Sequence, residues 1–289
     1  MKILTIVLLS TFTFSVNAQN LTDSIRFVNV PYETKFIQSG VAWQHFHFQD
    51  SAIFNAKENI NLIRVAKNAK GIRWALGTDC DSLLPTSALA KKYNAIAAIN
   101  GSFFDVKKGG AVDFLKIDNL VVDTSKSNGV KLAEHQQAAL ILKNNLPCII
   151  HARDSFDYDW QRTFTAYADV MVSGPWLIQN REINTLSVTP FNKNRHPRSG
   201  VCFTDSEIIL ITVDGRTSDS YGINLSEFAA LMRWLGCSDG INLDGGGSTT
   251  LYVKGEVENG VVSMPCDNKK FDHQGERAVS NIIMLVPQK

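Results

Sequence analysis

Two strand-like runs that each end in Asp-Gly, with a helical stretch between them, constrain this chain more than any other feature. Residues 208–213 read Ile-Ile-Leu-Ile-Thr-Val and stop at Asp214-Gly-Arg216. Residues 240–243 read Gly-Ile-Asn-Leu and stop at Asp244, followed by Gly245, Gly246, Gly247 and Ser248. Between them Leu225, Phe228, Met232 and Leu235 recur at helical spacing, with Gly236 placed as a C-cap. A strand–helix–strand crossover predicts that the two strands lie side by side and parallel. Asp214 and Asp244 would then emerge at one edge of the sheet, the edge where ligands bind in open α/β sheets.

The glycines point to a ligand at that edge. Three in a row are entropically costly for a simple hairpin turn. Lacking side chains, they let backbone N–H groups approach an anion, and successive amides in a turn form an anion-binding nest. Asn242, Ser248 and Thr249 add polar groups around it. Asn100-Gly-Ser-Phe-Phe-Asp105 repeats the layout of a buried strand followed by a polar residue and glycine, and Asn100 is suited to sugar hydroxyls. Its two phenylalanines read as core. Arg195-His-Pro-Arg198-Ser199 sets two guanidinium groups on a proline-stiffened loop, suited to phosphate or carboxylate, or equally to solvent. Glu276-Arg277 precedes the last strand. His45 and His47 share one face of a strand, where packing or hydrogen bonding is a commoner role than metal binding.

The remaining segments contribute strands more often than helices. Val41–Phe48 alternates, and 60–66, 71–77 and 95–99 are further strand candidates. Residues 83–93 read as a helix with Ser82 as its cap. Asp118-Asn119 and Asn144-Asn145 mark hairpin turns within 113–122 and 138–150. Residues 123–136 and 181–197 are polar and read as loops. Ser173-Gly-Pro-Trp176 reads as a turn with Trp176 near a pocket wall, Leu251–Val253 as the outgoing strand of a hairpin, and 281–286 as the closing strand. The expected fold is α+β (mixed α/β), with mixed β-sheets and a crossover carrying the site at strand C-terminal ends.

The N-terminus reads as an export signal. Lys2 precedes an uncharged stretch from Ile3 to Val16, and Val16-Asn17-Ala18 offers compact residues for cleavage after Ala18. The run is shorter than the ~20 residues of a membrane-spanning helix. No cysteine follows the cut to carry a lipid, and no later run is long enough to span a bilayer. The expected organisation is a signal peptide at 1–18, an N-terminal extension at 19–58 and a catalytic domain at 59–289. The product is exported, periplasmic or secreted. A formal net charge of +1, with 20% charged and 44% hydrophobic residues, describes a globular protein without broad attraction to nucleic acid. The five cysteines are Cys80, Cys148, Cys202, Cys237 and Cys266. Their spacing leaves pairing open. Cys148, Cys202 and Cys237 stand in apolar contexts that suit buried thiols, and the lack of a Cys-x-x-Cys pair argues against a metal cluster.

Several of these segments resemble the phosphodiester glycosidase family. They are Ala98-Ile-Asn-Gly-Ser-Phe-Phe, Ser173-Gly-Pro-Trp-Leu-Ile, His196-Pro-Arg-Ser-Gly, Val213-Asp-Gly-Arg, Gly222-Ile-Asn-Leu-Ser-Glu-Phe-Ala, Asn242-Leu-Asp-Gly-Gly-Gly-Ser and Glu276-Arg-Ala-Val-Ser-Asn. They follow the family's order from about residue 60 onward. The chain departs from the pattern at Ser102, at Ser199 and along Asn259–Cys266, so a preference for N-acetylglucosamine is not carried over.

The resemblance implies hydrolysis of a sugar joined through its anomeric carbon to a phosphodiester. Asp244, Asp214 and Glu276 are then the catalytic carboxylates, with Asp244 nearest the reacting centre and Glu276 as acid/base. Asn100, Arg198, Arg216, Asn242, Gly245, Gly246, Gly247, Ser248 and Arg277 would hold sugar and phosphate. No cofactor is firmly implied, although the carboxylates leave a calcium ion open. The partner is a carbohydrate phosphodiester or glycan. The rival reading is a non-catalytic glycan-binding or exopolysaccharide-assembly protein on the same scaffold.

Overall fold

The computed structural model describes residues 12–124, 133–152, 164–256 and 259–288, with the backbone alone at 12–20 and 51–52. The chain is mostly strand with few helices. Its largest sheet has eight strands in the order Glu33–Gln38, Val41–Ile53, Ala56–Ala66, Glu207–Val213, Arg198–Phe203, Asp239–Asn242, Trp176–Gln179 and Glu182–Ile183. Both faces of this sheet are covered, which is why its central strand reads as an unbroken apolar run. Ile208 and Leu210 face one core with Ile63, Val201 and Ile241. Ile209, Ile211 and Val213 face another, under Leu225, Phe228 and Met232 of helix Leu225–Trp234. That helix opens on a capping box between Asn224 and Glu227 and closes before Gly236 at φ +81°.

Two smaller sheets close the first core. One orders Leu251–Val253, Ala97–Asn100, Asn281–Pro287 and Ile72–Thr78. The other orders Leu146–His151, Ala138–Lys143, Val170–Ser173, Leu115–Ile117 and Leu120–Asp123. Ile99, Ile283 and Trp74 from the former meet Leu140 and Met171 from the latter beneath the large sheet. The two Asx turns are where the sequence puts them: Asp118, Asn119, Asn144 and Asn145 all take positive φ between paired strands.

Several expectations change. Strands Glu207–Val213 and Asp239–Asn242 run parallel to each other but are not adjacent. Arg198–Phe203 lies between them and pairs antiparallel with both. The helix expected at 83–93 is Thr86–Lys92, because Leu84–Pro85 is held as a short strand against Ala278–Val279. Ser82 does not cap it but bonds Asp79. Leu251–Val253 makes no hairpin with the strand before it and instead joins Ala97–Asn100 in the four-stranded sheet. Trp176 does line a cavity, of about 550 Å³, with Lys67, Cys148 and Phe203. This cavity reaches Asp239, so it lies at the far end of strand Asp239–Asn242 from Asp244.

Residues 1–11 of the expected leader lie outside the described residues, and helix Phe12–Asn29 runs through Ala18. Further along that helix Phe27 is buried against Phe46, Phe48 and Trp234, and Asp23 accepts the amide of Phe54 at 2.9 Å. No helix among the described residues is long and apolar enough to cross a membrane.

Cys202 and Cys237 are not buried thiols but a disulfide, joining the centre of the large sheet to the residue following Gly236. Closing a loop of sequence separation 35 constrains the unfolded chain, by roughly 3–4 kcal/mol in the chain-entropy view. Cys80, Cys148 and Cys266 are free. Titration of the denatured, unreduced protein should therefore find three thiols, and reduction should raise the count to five and lower the melting temperature by several degrees. Five thiols without reductant would contradict the pairing.

Candidate active site

The site forms where strand Asp239–Asn242 ends against the start of strand Arg198–Phe203. The register pairs Gly200 with Asn242 and Arg198 with Val213, so Asp214 and Asp244 do leave the sheet at one edge. Three bonds fix the backbone there. Leu243 N–H donates to the Ser199 carbonyl at 2.9 Å and Asp244 N–H to the Gly101 carbonyl at 3.0 Å. The Asp244 carbonyl accepts from the Asn100 amide at 2.7 Å. The Asp244 carboxyl is half-buried and accepts from its neighbour, Gly245 N–H, at 2.9 Å. Burial pushes it up to about 6, against the Ser248 hydroxyl, the Gly245 amide and the Arg277 guanidinium, which favour the ionised form.

Each glycine after Asp244 is there because another group occupies the space of a side chain. A Cβ on Gly245 would stand 2.7 Å from the Pro197 carbonyl oxygen. Gly246 has φ +64°, and its Cβ would stand 2.9 Å from Arg216 Nη2. A Cβ on Gly247 would collide with Asp267 and Arg277. Arg216 and Arg277 thus lie directly against the glycine turn. Arg216 is exposed, has φ +64°, and places Nη2 3.4 Å from His196 Nδ1 and Nη1 4.0 Å from the Cys266 sulfur. Arg277 is locked to Asp267 by bonds of 2.8 and 2.9 Å. Burial, then Arg198 and Arg216, push the His196 ring toward its neutral form.

The other expected site residues lie deeper. Arg198 is 1% exposed, and its guanidinium donates to the carbonyls of Ile223, Phe191 and Asn194 with its plane 4.9 Å from the Phe191 ring. Burial and then Arg216 bring it down to about 10. It underlies the site as fixed positive charge instead of reaching out of it. Asn100 is fully buried and ties three segments, because its amide oxygen also accepts from Ser199 Oγ at 2.7 Å and Thr250 N–H at 3.1 Å. Asn242 is likewise buried, donating to the carbonyls of Gly174 and Leu243. Ser248 is buried beside Asp244.

Asp214 is 1% exposed and turned toward the neighbouring strands, where Asn59 Nδ2 donates to it at 2.7 Å. The Asn59 oxygen in turn lies 2.7 Å from His45 Nε2. Burial pushes Asp214 up to about 6, against Asn59, the Met264 amide and His45. Glu276 sits at a helix start: both its oxygens are taken by Ser87, through N–H at 2.9 Å and Oγ at 2.5 Å, in the first turn of Thr86–Lys92. Asp244, Arg216, Arg277 and the three glycines are therefore brought together, with Arg198, Asn100 and Asn242 beneath them. Asp214 is engaged by Asn59 and Glu276 by Ser87.

Sequence reading missed three features. Asn59 links Asp214 to His45, whose ring takes the hydrogen-bonding role expected of it. Asp267 orients Arg277. His135, inside the segment read as a polar loop, bonds a fully buried Asp113 at 2.6 Å. Among the described residues no three His, Cys, Asp or Glu side chains gather into a metal-binding group.

The fold has known counterparts. A protein from Synechocystis superposes with a TM-score of 0.66 at 15% identity, over 90% of this chain and 64% of that one. The catalytic domain of zebrafish N-acetylglucosamine-1-phosphodiester alpha-N-acetylglucosaminidase, auto-inhibited by its pro-peptide, superposes with a TM-score of 0.64 at 19% identity, over 94% and 93% of the two chains. At these identities the likeness is one of fold. YomE, an SPbeta prophage-derived protein of Bacillus subtilis, is 31% identical over 106 residues, 32% of this chain. The matched part is only 16% of that protein's length. The family model for phosphodiester glycosidases matches residues 93–286, which hold Asn100, Asp214, the glycine turn and Arg277. The chain belongs to the phosphodiester glycosidase family.

Proposed function

We propose that this chain is an exported glycosidase that hydrolyses a sugar-1-phosphodiester. The observation that carries the reading is Asp244, a half-buried carboxyl beside a glycine turn flanked by Arg216 and Arg277. Cleavage of the anomeric C–O bond leaves positive charge on the sugar and negative charge on the departing phosphate. A carboxylate suits the first, and guanidinium donors suit the second. Asp244 acts in its ionised form, as nucleophile or as base toward water. A phosphomonoester has its second pKa near about 6, so it departs without a strong proton donor. That agrees with Glu276 being engaged by Ser87. Asp214 acts from below, through the loop that carries Arg216. Export is supported by the leader-like composition of residues 1–18 and by the disulfide, which suits an oxidising compartment.

The same engagement of Glu276 favours one rival. With Glu276 held by Ser87, the scaffold suits a glycan-binding or exopolysaccharide-assembly protein that turns nothing over. The methyl phosphodiesters of glucose-1-phosphate and N-acetylglucosamine-1-phosphate separate the two readings, since free sugar appears only if the site is catalytic. Asp244→Asn should lower that release at least about 100-fold. The variant should fold at least as stably at pH 7. A carboxyl whose folded pKa is raised contributes fully below its unfolded value near about 4 and loses that stability as pH rises through about 6. Retained activity in Asp244→Asn would sink the mechanism.

The pH profile follows from the same shift. Activity should rise with pH through about 6 as Asp244 ionises, and a fall across that range would mark Asp244 as an acid. Dialysis against EDTA should leave the rate unchanged, and loss restored by calcium would show a metal-dependent reaction.

A further inference from the structure

We infer that Phe103, Phe191 and His135 form a wall beside Asp244 that binds a pyranose ring, with His135 Nε2 bonding a sugar hydroxyl. The inference deepens the proposed glycosidase reading and rests on it for its location. The three rings are contiguous. Phe103 lies 5.3 Å from His135 and 5.9 Å, edge-on, from Phe191. Phe191 is 39% exposed. One side of its ring is taken by Arg198 at 4.9 Å. Phe103 is half-buried, and the His135 side chain is 36% exposed.

All three stand on segments tied to the Asp244 turn. Phe103 follows Gly101, whose carbonyl accepts Asp244 N–H. The Phe191 carbonyl accepts from Arg198, whose Cα lies 3.7 Å from the Cβ position of Gly245. The His135 Cα lies 3.2 Å from the Cβ position of Gly174, whose carbonyl accepts from Asn242.

The wall is also built to hold its shape. Glu134, next to His135, accepts from Ser187 N–H at 2.8 Å and from Asn192 Nδ2 at 2.6 Å, which latches the loop carrying Phe191. Asp113 is fully buried, and its carboxylate accepts from His135 Nδ1 at 2.6 Å and from Gln136 Nε2 at 2.8 Å. A carboxylate only accepts, so Nδ1 carries the proton and Nε2 is the ring nitrogen left for an outside partner. Such orientation of a histidine by a buried carboxylate positions it for a partner outside the protein fold. Apolar ring faces beside one directional polar group match a sugar, whose C–H faces are apolar and whose edge carries hydroxyls.

The test is saturation-transfer NMR on the full chain with glucose, galactose, mannose and N-acetylglucosamine, none of which carries phosphate. At least one should bind the wild type. Its affinity should fall at least fivefold in Phe191→Ala, an exposed position that leaves the core intact, and in His135→Ala. Inorganic phosphate, which tests the Arg216–Arg277 side, should bind these two variants as it binds the wild type. Failure of all four sugars to bind the wild type, or unchanged affinity in both variants, overturns the wall. Sugar binding that depends on Phe191 without any phosphodiester turnover would retain the wall and reject the glycosidase reading.

Discussion

One buried amide holds the site together. Asn100 ends a strand of the four-stranded sheet, yet its side chain bonds Asp244, Ser199 and Thr250. Ser199 belongs to the eight-stranded sheet, so this single group clamps the two sheets at the point where the glycine turn begins. Leaving any of these buried partners unsatisfied costs about 1–3 kcal/mol. Asn100 therefore contributes most to the placement of Asp244, even though it is closed to solvent.

The charges around that clamp are arranged unevenly. Arg198 is buried with carbonyls and a ring as its partners, and it raises the positive potential beneath the turn. Arg277 is neutralised in part by Asp267, whereas Arg216 is exposed and near a histidine held toward its neutral form. The outcome is a turn with two guanidinium groups against it and one half-buried carboxyl at its start. A glycosyl phosphodiester has the complementary distribution as its bond breaks: an anion leaves and a cationic ring remains.

Much of this could be read from local pattern. The run Ile208–Val213, the helix after Asn224 and the turns at Asp118-Asn119 and Asn144-Asn145 depend on neighbours a few residues away, and they fold as their residues dictate. The glycine turn was legible for the same reason, since three glycines have few structural explanations. What failed depends on partners far along the chain. Nothing in the crossover shows that Arg198–Phe203 inserts between its two strands. Glu276 meets Ser87 across 189 positions, which no spacing rule anticipates. Cys202 and Cys237 look like buried thiols because a disulfide in a core has the same apolar neighbours. His135 was hidden in a polar stretch, and only its approach to Asp113 gives it meaning.

The central claim is that water displaces phosphate at the anomeric carbon. Hydrolysis of a sugar-1-phosphodiester in H₂¹⁸O, followed by mass spectrometry of both products, tests it most directly. Cleavage of the C–O bond places the label in the hydroxyl of the released sugar and leaves the phosphomonoester unlabelled. Label in the phosphate would mean attack at phosphorus, and would contradict glycosyl cleavage by Asp244 and its glycine turn.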